Sequence, residues 1–228
     1  MVRMSIRRKI ILVLLTTAIA CIFGLGHSEA RAEIAQKTGR ASAEPPAGKP
    51  QTFKCEGSFG PDASHAKLAK EFGAANIDTE EYWDADWEVT VVFPKDPQRR
   101  LIIQWKDHEA RRKPASIKLE GSLWSAAGVT IGTPLAELER LNGGPFKLND
   151  FEGDYGGAIT DWMGGRFTMP FSAGCRLGLS VWFDENLPEA MDGAMEKELL
   201  PDRSLLSSGA GLRAAKPVVN EMTVIFPK

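Results

Sequence analysis

Two short stretches of the chain place apolar residues at helical spacing and end at a glycine. The first, PDASHAKLAKEFG, spans residues 61–73, and the second, GTPLAELERLNGG, spans residues 132–144. Spacings of three and four residues bring side chains onto one face of an α-helix. Asp62 or Ser64 can cap the first helix, and Thr133 can cap the second. The predicted apolar faces comprise Leu68, Ala69 and Phe72 in the first helix and Leu135, Leu138 and Leu141 in the second.

Beyond each predicted helix, apolar and polar residues alternate, which is the pattern of strands with one buried face. Residues 94–97 hold two prolines and an aspartate, which predicts a hairpin connection. No helices return between these strands, so the order differs from that of a doubly wound fold. The strand-like runs are residues 87–94, 99–106 and 115–121 after the first helix, and residues 156–162, 165–171, 175–184 and 218–228 after the second.

The pattern therefore predicts an α+β fold of two tandem units, each a short helix followed by an antiparallel β-meander. We place the units at residues 52–120 and 121–228 of a single domain. The octapeptides EVTVVFPK (88–95) and EMTVIFPK (221–228) are identical at six of eight positions. They lie at different distances from their helices, so we interpret them as a common strand sequence and not as equivalent positions of a repeat.

A long insertion, residues 185–217, separates the last two strand-like runs. Pro188 can begin a helix that Pro201 ends. Met191, Met195 and Leu199 then fall on one helical face. A methionine face can be an adaptable binding surface or a packing face, and the sequence favours packing because amphipathic helices usually dock on a core.

The N-terminus has the pattern of an export signal. Four basic residues precede an apolar run that ends in small residues, which predicts a signal peptide over residues 1–32, cleaved after Ala32. Lipidation at Cys21 is a less favoured alternative, because the apolar run continues past it. Residues 33–51 lack large apolar side chains, which is typical of a flexible linker. We therefore expect a periplasmic or secreted protein.

Charge limits the classes of partner. The chain carries 28 Lys and Arg against 30 Asp and Glu. Cleavage removes five of the basic residues and one acid, and the net charge of the mature chain becomes −6. This balance argues against nucleic-acid binding and against attraction to an anionic membrane. After cleavage, no stable membrane insertion is expected.

Two cysteines remain after signal cleavage, Cys55 and Cys175. Export places them in an oxidising compartment, so the sequence predicts that they form a disulfide. A catalytic thiolate is the alternative, but neither cysteine has a histidine near it in the sequence.

An acidic loop is the strongest candidate for chemistry. Asp150, Glu152 and Asp154 alternate in NDFEGDYGG, and Asp161 follows. A calcium loop would need glycine at its sixth position and glutamate at its twelfth. Tyr155 and Asp161 stand there instead, so no metal site is predicted. The same carboxylates could serve a carbohydrate- or peptidoglycan-directed hydrolase, but no catalytic constellation is recognisable and no cofactor is expected.

Aromatic and flexible side chains supply the other candidate contacts. Trp83 and Trp87 lie among acidic residues in EEYWDADW, which suits a contact with a protein or a glycan, although packing at a sheet edge is favoured. The full set of candidate binding residues is Trp83, Trp87, Asp150, Glu152, Asp154, Tyr155, Asp161, Met191 and Met195.

Residues 132–145 resemble the signature of the small outer-membrane assembly lipoproteins, the SmpA/OmlA family. There a glycine, a capping residue, an apolar helical stripe and a terminal Gly-x-Pro precede an antiparallel sheet. The β-lactamase-inhibitor protein family is similar and holds two such units in tandem. The resemblance implies a non-catalytic binding or inhibitory module with a periplasmic or envelope protein as partner. A hydrolase and a lipid-anchored assembly factor are the alternatives.

Overall fold

The fold combines four α-helices with strands that are mostly antiparallel, within the residues that the structure describes. The computed structural model describes residues 50–82, 87–183 and 189–228, with the backbone alone at 189–192. The helices are α1 (His65–Phe72), α2 (Leu135–Asn142), α3 (Glu189–Glu196) and α4 (Ala210–Ala215). The strands are β1 (Gln51–Thr52), β2 (Ile77–Glu81), β3 (Glu88–Val92), β4 (Leu101–Asp107), β5 (Arg112–Leu119), β6 (Trp124–Ser125), β7 (Lys147–Asn149), β8 (Ile159–Asp161), β9 (Arg176–Trp182), β10 (Ser204–Leu206) and β11 (Val218–Ile225).

The predicted α+β class is confirmed. The predicted signal peptide with Cys21, and the linker up to residue 49, lie outside the described residues. None of the helices in the described ranges has both the length and the apolar composition that crossing a bilayer requires.

Six strands form the main sheet in the spatial order β2-β3-β4-β5-β11-β9, and every neighbouring pair is antiparallel. Strands β2 to β5 follow one another in sequence and form a meander. At the centre, β5 pairs with β11, where Lys118 lies opposite Thr223. Each of these two strands has a register shift near its start, at Ala115 against β4 and at Asn220 against β9. Such bulges increase the local twist of a sheet.

The remaining strands form two small sheets. Strands β10, β7 and β8 make an antiparallel sheet in that order, and β1 pairs in parallel with β6. An isolated bridge between Ala158 and Ser180 connects the segment before β8 to β9. The strands that follow α2 are therefore adjacent in the order β10, β7, β8, β9 and β11.

Helices α1 and α2 match the predicted positions. The hydroxyl of Ser64 caps α1 by accepting a hydrogen bond from the Lys67 N–H. The prediction that Thr133 caps α2 is wrong, because Pro134 occupies the N-cap and the Thr133 hydroxyl instead accepts from the Thr130 N–H. Gly143 ends α2 in the left-handed conformation, with φ 85° and ψ 12°, which glycine adopts without a steric penalty.

Helix α1 starts beside the first residue of β5, and α2 starts beside the first residue of β11, because the segment before each helix forms a bridge with that residue. Each bridge contains two backbone hydrogen bonds of about the same length. They run from His65 N–H to Arg111 O (2.9 Å), Lys113 N–H to Ala63 O (2.9 Å), Leu135 N–H to Pro217 O (3.0 Å) and Val219 N–H to Thr133 O (2.9 Å).

The core lies on one face of the main sheet. Leu68 from α1 and Leu138 from α2 are fully buried in the same cluster as Ile103, Trp105 and Val224 from the strands. Burying these side chains is the main favourable contribution to folding. The helices therefore cover this face of the sheet.

A disulfide joins Cys55, which precedes α1, to Cys175, which precedes β9. The sulfurs are bonded, the Cα atoms lie 6.6 Å apart, and both residues are fully buried. The predicted pairing is confirmed, and it closes a loop with a sequence separation of 120 residues.

Several elements differ from the sequence prediction, and β1, β6, β7, β10 and α4 correspond to no predicted element. Residues 165–171 are not a strand but contain a short 3-10 helix, Arg166–Thr168. Helix α3 ends at Glu196, so Leu199 lies beyond it rather than on its face. Strand β2 was not predicted, because its sequence IDTEE is mostly polar and exposed at the sheet edge.

His65 is a hydrogen-bonded packing residue on α1, as its position beside Leu68 predicts. Its Nδ1 lies 2.9 Å from the Thr90 hydroxyl, which also accepts a hydrogen bond from Nε1–H of Trp105 at 2.9 Å. Burial lowers the pKa of His65 below its ordinary value, the positive charge of Arg111 lowers it further, and Glu88 opposes the shift. The folded protein therefore favours the neutral imidazole.

This pKa shift predicts a pH dependence of stability. The unfolded chain, with a histidine pKa near 6.5, binds a proton more readily than the folded protein, so the free energy of unfolding falls as the pH drops through that value towards the lower folded pKa. Replacing His65 with Gln keeps a polar side chain and removes this titration. We expect the variant to lose part of the decrease in unfolding free energy between pH 7 and pH 5, measured by urea denaturation. If the free energy of unfolding fell equally with pH in the wild-type protein and in the His65→Gln variant, this role of His65 would be contradicted.

Candidate functional site

The face of the main sheet opposite the core carries a hollow of about 270 Å³. We call this the open-face hollow. Its side chains come from five neighbouring strands and their ends, because alternate residues of a strand point to the same face. The lining comprises Glu80, Glu81, Tyr82, Val89, Ile102, Gln104, Ser116, Lys118, Glu120, Glu221 and Thr223.

Apolar side chains lie between the polar ones in this hollow. Val89 is buried and Ile102 is half-buried, and Val89 is not part of the core cluster on the other face. A cross-strand hydrogen bond joins the Ser116 hydroxyl to Oε1 of Gln104 at 3.0 Å. The hollow therefore offers both apolar area and oriented polar groups, as protein interfaces do.

Ion pairs surround the hollow. The Arg100 guanidinium binds Glu80 at 2.7 Å and Glu120 at 2.8 Å, and Lys118 lies 3.1 Å from Glu221. The lining holds four carboxylates and one ammonium group, so its charge is negative. Exposed pairs of this kind contribute at most about 1 kcal/mol, so a competing charge can replace one partner.

An aromatic pair stands at one end of the hollow. Tyr82, which follows β2, lines the hollow, and its ring stacks on that of Trp87, which precedes β3, with centroids 6.4 Å apart. Trp87 also contacts His108, with ring centroids 4.8 Å apart, and remains 40% exposed. Trp83 lies outside the described residues.

Other predicted residues meet in a second concavity, a groove of about 360 Å³ beyond the end of β9, which we call the β9 groove. Asp150, Glu152 and Met195 line it together with Arg203. Nη2 of Arg203 lies 2.6 Å from Asp150 and 2.9 Å from Glu152. The hydrogen bond and charge of Asp150, with the charge of Glu152, raise the pKa of the Arg203 guanidinium above its ordinary value.

The remaining candidates do not line either concavity. Asp154 is exposed, and Tyr155 is 78% exposed in the loop before β8. Asp161 is exposed at the end of β8, where its Oδ1 accepts a hydrogen bond from the Met163 N–H at 2.7 Å. The backbone of Met191 lies in α3, and its side chain is not among those described.

The acidic residues on which the alternative hydrolase would depend do not all lie together, because Asp154 and Asp161 are outside the groove that Asp150 and Glu152 line. Asp150 and Glu152 hold one guanidinium between them, whereas a glycosidase pair holds the substrate between its two carboxyl groups. Asp161 instead bonds the backbone of its own turn. Across the described ranges, no three His, Cys, Asp or Glu side chains are grouped to bind a metal ion.

Sequence reasoning missed most of the residues that shape these concavities. Arg203 is 51 residues away in sequence from Glu152, and no local pattern indicates that they meet. Lys118 and Glu221 form an ion pair between the paired strands β5 and β11, although 103 positions separate them in the sequence (221 − 118). The alternation of polar residues along β4, β5 and β11 is the one signal that could have predicted an open sheet face.

The open-face hollow joins five strands, an aromatic pair and a negative lining, so it is the candidate functional site. No family model, curated protein or solved structure matches this chain.

Proposed function

We propose that the protein is an exported, non-catalytic binding module that contacts a protein partner through the open-face hollow. The observation that carries this proposal is the hollow itself, which spans the sheet opposite the helix-covered core. A sheet needs only one covered face to be stable, and the other face is free for recognition.

The two-unit organisation belongs to the same proposal. Helices α1 and α2 each have eight residues, each buries a leucine at its fourth position and each ends before a glycine. Each helix start makes the same pair of backbone bonds with the last strand of its half. The halves would then meet along β5 and β11, so that their open faces form one continuous surface. Two such units in tandem are what the resemblance to the β-lactamase-inhibitor proteins implies.

The chemistry of the hollow favours a basic group on the partner. Its lining has an excess of carboxylates, and the apolar floor of Val89 and Ile102 can pack against the aliphatic part of a lysine or arginine side chain. Tyr82 and Trp87 add apolar area with little conformational entropy to lose. We therefore propose a periplasmic or envelope protein that presents a basic side chain to the sheet.

The disulfide and the N-terminal sequence support an exported location. The Cys55–Cys175 disulfide suits an oxidising environment, and the N-terminal sequence has the pattern of a cleaved signal peptide. The lipid-anchored alternative requires lipid on Cys21, which the intact mass of the protein recovered from cells would reveal.

Charge reversal in the hollow tests the proposed function. Glu221→Lys places a positive charge where the basic partner group would bind, and we expect at least about a tenfold loss of affinity because like charges are brought together. The partner is first captured by crosslinking from periplasmic and envelope extract, then purified, and its dissociation constant is measured for both proteins.

Glu137→Lys is the matched control. Glu137 on α2 has a side chain 42% exposed and one ion pair with Arg140, much as Glu221 is 44% exposed and paired with Lys118. The control keeps the affinity of the wild-type protein if the hollow is the interface. Equal losses in both variants, or no loss in Glu221→Lys with the fold intact, would place the interface elsewhere.

A further inference from the structure

We propose that the β9 groove binds a small organic cation, with its charged group between the aromatic wall and the carboxylates and its alkyl part against the aliphatic side chains of the lining. The groove volume of about 360 Å³ lies within the range of small-molecule sites, about 300–1,000 Å³. The groove and the open-face hollow share no lining residue among those described. Cation binding and partner binding can therefore hold or fail independently.

An aromatic cluster forms one wall of the groove. The ring centroids of Phe151, Trp182 and Phe183 lie 4.5–5.6 Å from one another. Such contacts fix the rings against one another, and the half-buried Trp182 also packs close to Gly156. Aromatic faces attract cations, tryptophan most strongly, and quaternary ammonium groups are a preferred ligand.

The acidic loop and α3 supply the opposite charge. The lining of the groove contains three carboxylates, those of Asp150, Glu152 and Glu196, and one cationic side chain, that of Arg203. Arg203 is already bound by Asp150 and Glu152, so its charge is compensated within the lining. A negative excess remains, which favours a bound cation over a bound anion.

Apolar side chains complete the groove. Met195 is buried, Leu205 is buried and Leu199 is half-buried, and all three line the cavity. They supply a surface for methyl and methylene groups but no hydrogen-bond donors. A ligand that combines a positive charge with alkyl groups fits both parts of the lining, which neither a metal ion nor a sugar does.

Choline is the probe, and its uncharged isostere, with carbon in place of nitrogen, is the control ligand. Isothermal titration calorimetry of the exported protein at low ionic strength should show choline binding at least about fivefold more tightly than the isostere. Equal affinities would mean a purely apolar groove, and absence of choline binding would mean no cation site. Either result overturns the proposal.

Two variants assign the binding to this groove. Trp182→Leu keeps an apolar side chain but removes the aromatic face, and we expect choline affinity to fall about 5- to 30-fold while the affinity for the isostere stays unchanged. Glu196 is exposed, and the Glu196→Gln substitution preserves the shape of the side chain while removing its charge. This variant therefore tests the contribution of the negative charge to choline binding if Trp182→Leu fails to fold.

The matched control is Glu109→Gln, an exposed glutamate in the turn between β4 and β5 that does not line the groove. We expect Glu196→Gln to lower choline affinity about two- to fivefold, and Glu109→Gln to leave it unchanged. A loss of the same size in both would show a general effect of net charge and would overturn the assignment to the groove.

Discussion

Replacing Cys55 and Cys175 together with alanine is expected to lower the free energy of unfolding by about 5 kcal/mol. The disulfide spans 120 residues, so its absence restores a large conformational freedom to the unfolded chain. The chain-entropy model gives this value as an upper estimate, and measured losses for native disulfides are about 2–5 kcal/mol. Urea denaturation of the oxidised wild-type protein and of the double variant measures the difference.

Reduction supplies the control for this experiment. Reduced wild-type protein should unfold at the same urea concentration as the double variant, and reductant should not affect the variant itself. A loss below about 1 kcal/mol would mean that the covalent link adds little to a fold already held by its core.

Replacing Leu68 or Leu138 with alanine is expected to cost about 2–5 kcal/mol in each case. Both side chains are fully buried in the same core cluster, and both stand at the fourth position of an eight-residue helix. Removing either leaves a cavity where its helix meets the sheet. Equivalent environments should give losses that agree within about 1 kcal/mol, which is the quantitative test of the two-unit proposal.

Exposed positions on the same helices serve as controls. Lys70→Ala in α1 and Arg140→Ala in α2 should each change the free energy of unfolding by less than about 1 kcal/mol. A loss at Leu138 several times that at Leu68 would argue that the two helices are packed differently. Such a result would contradict the two-unit proposal while leaving the binding proposal untouched.

The local sequence pattern predicted the helices and strands whose apolar residues recur at a regular spacing and whose ends are marked by glycine or proline. Helices α1 and α2 were found because Leu68 and Leu138 lie on apolar stripes that end at glycines. Strands β4 and β5 were found because buried residues alternate with half-exposed ones along β4 and the end of β5, and β3 was found as a run rich in valine that is buried at Val89–Val92. Strand β2 was missed, because a polar edge strand has no apolar period to detect.

The candidate site was predicted only in fragments. Trp87, Asp150, Glu152 and Met195 were selected for their residue types, and each lies at or near a concavity. Their partners were not selected, because a salt bridge such as that of Arg203 with Asp150 depends on how distant strands and loops meet. The residue type shows that a side chain can form a polar or aromatic contact, whereas the residues that the fold places beside it determine which contact it makes.

The sequence by itself determined the positions of α1 and α2, the α+β class and the pairing of Cys55 with Cys175, because apolar spacing, helix-ending glycines and cysteine count are local or compositional properties. Only the tertiary structure decided that β11 lies between β5 and β9, and with it which polar residues share the open face. Pairing between distant strands depends on long-range packing, and a shift of one residue would turn every side chain to the other face. The hollow and the groove are therefore properties of the fold and not of any segment.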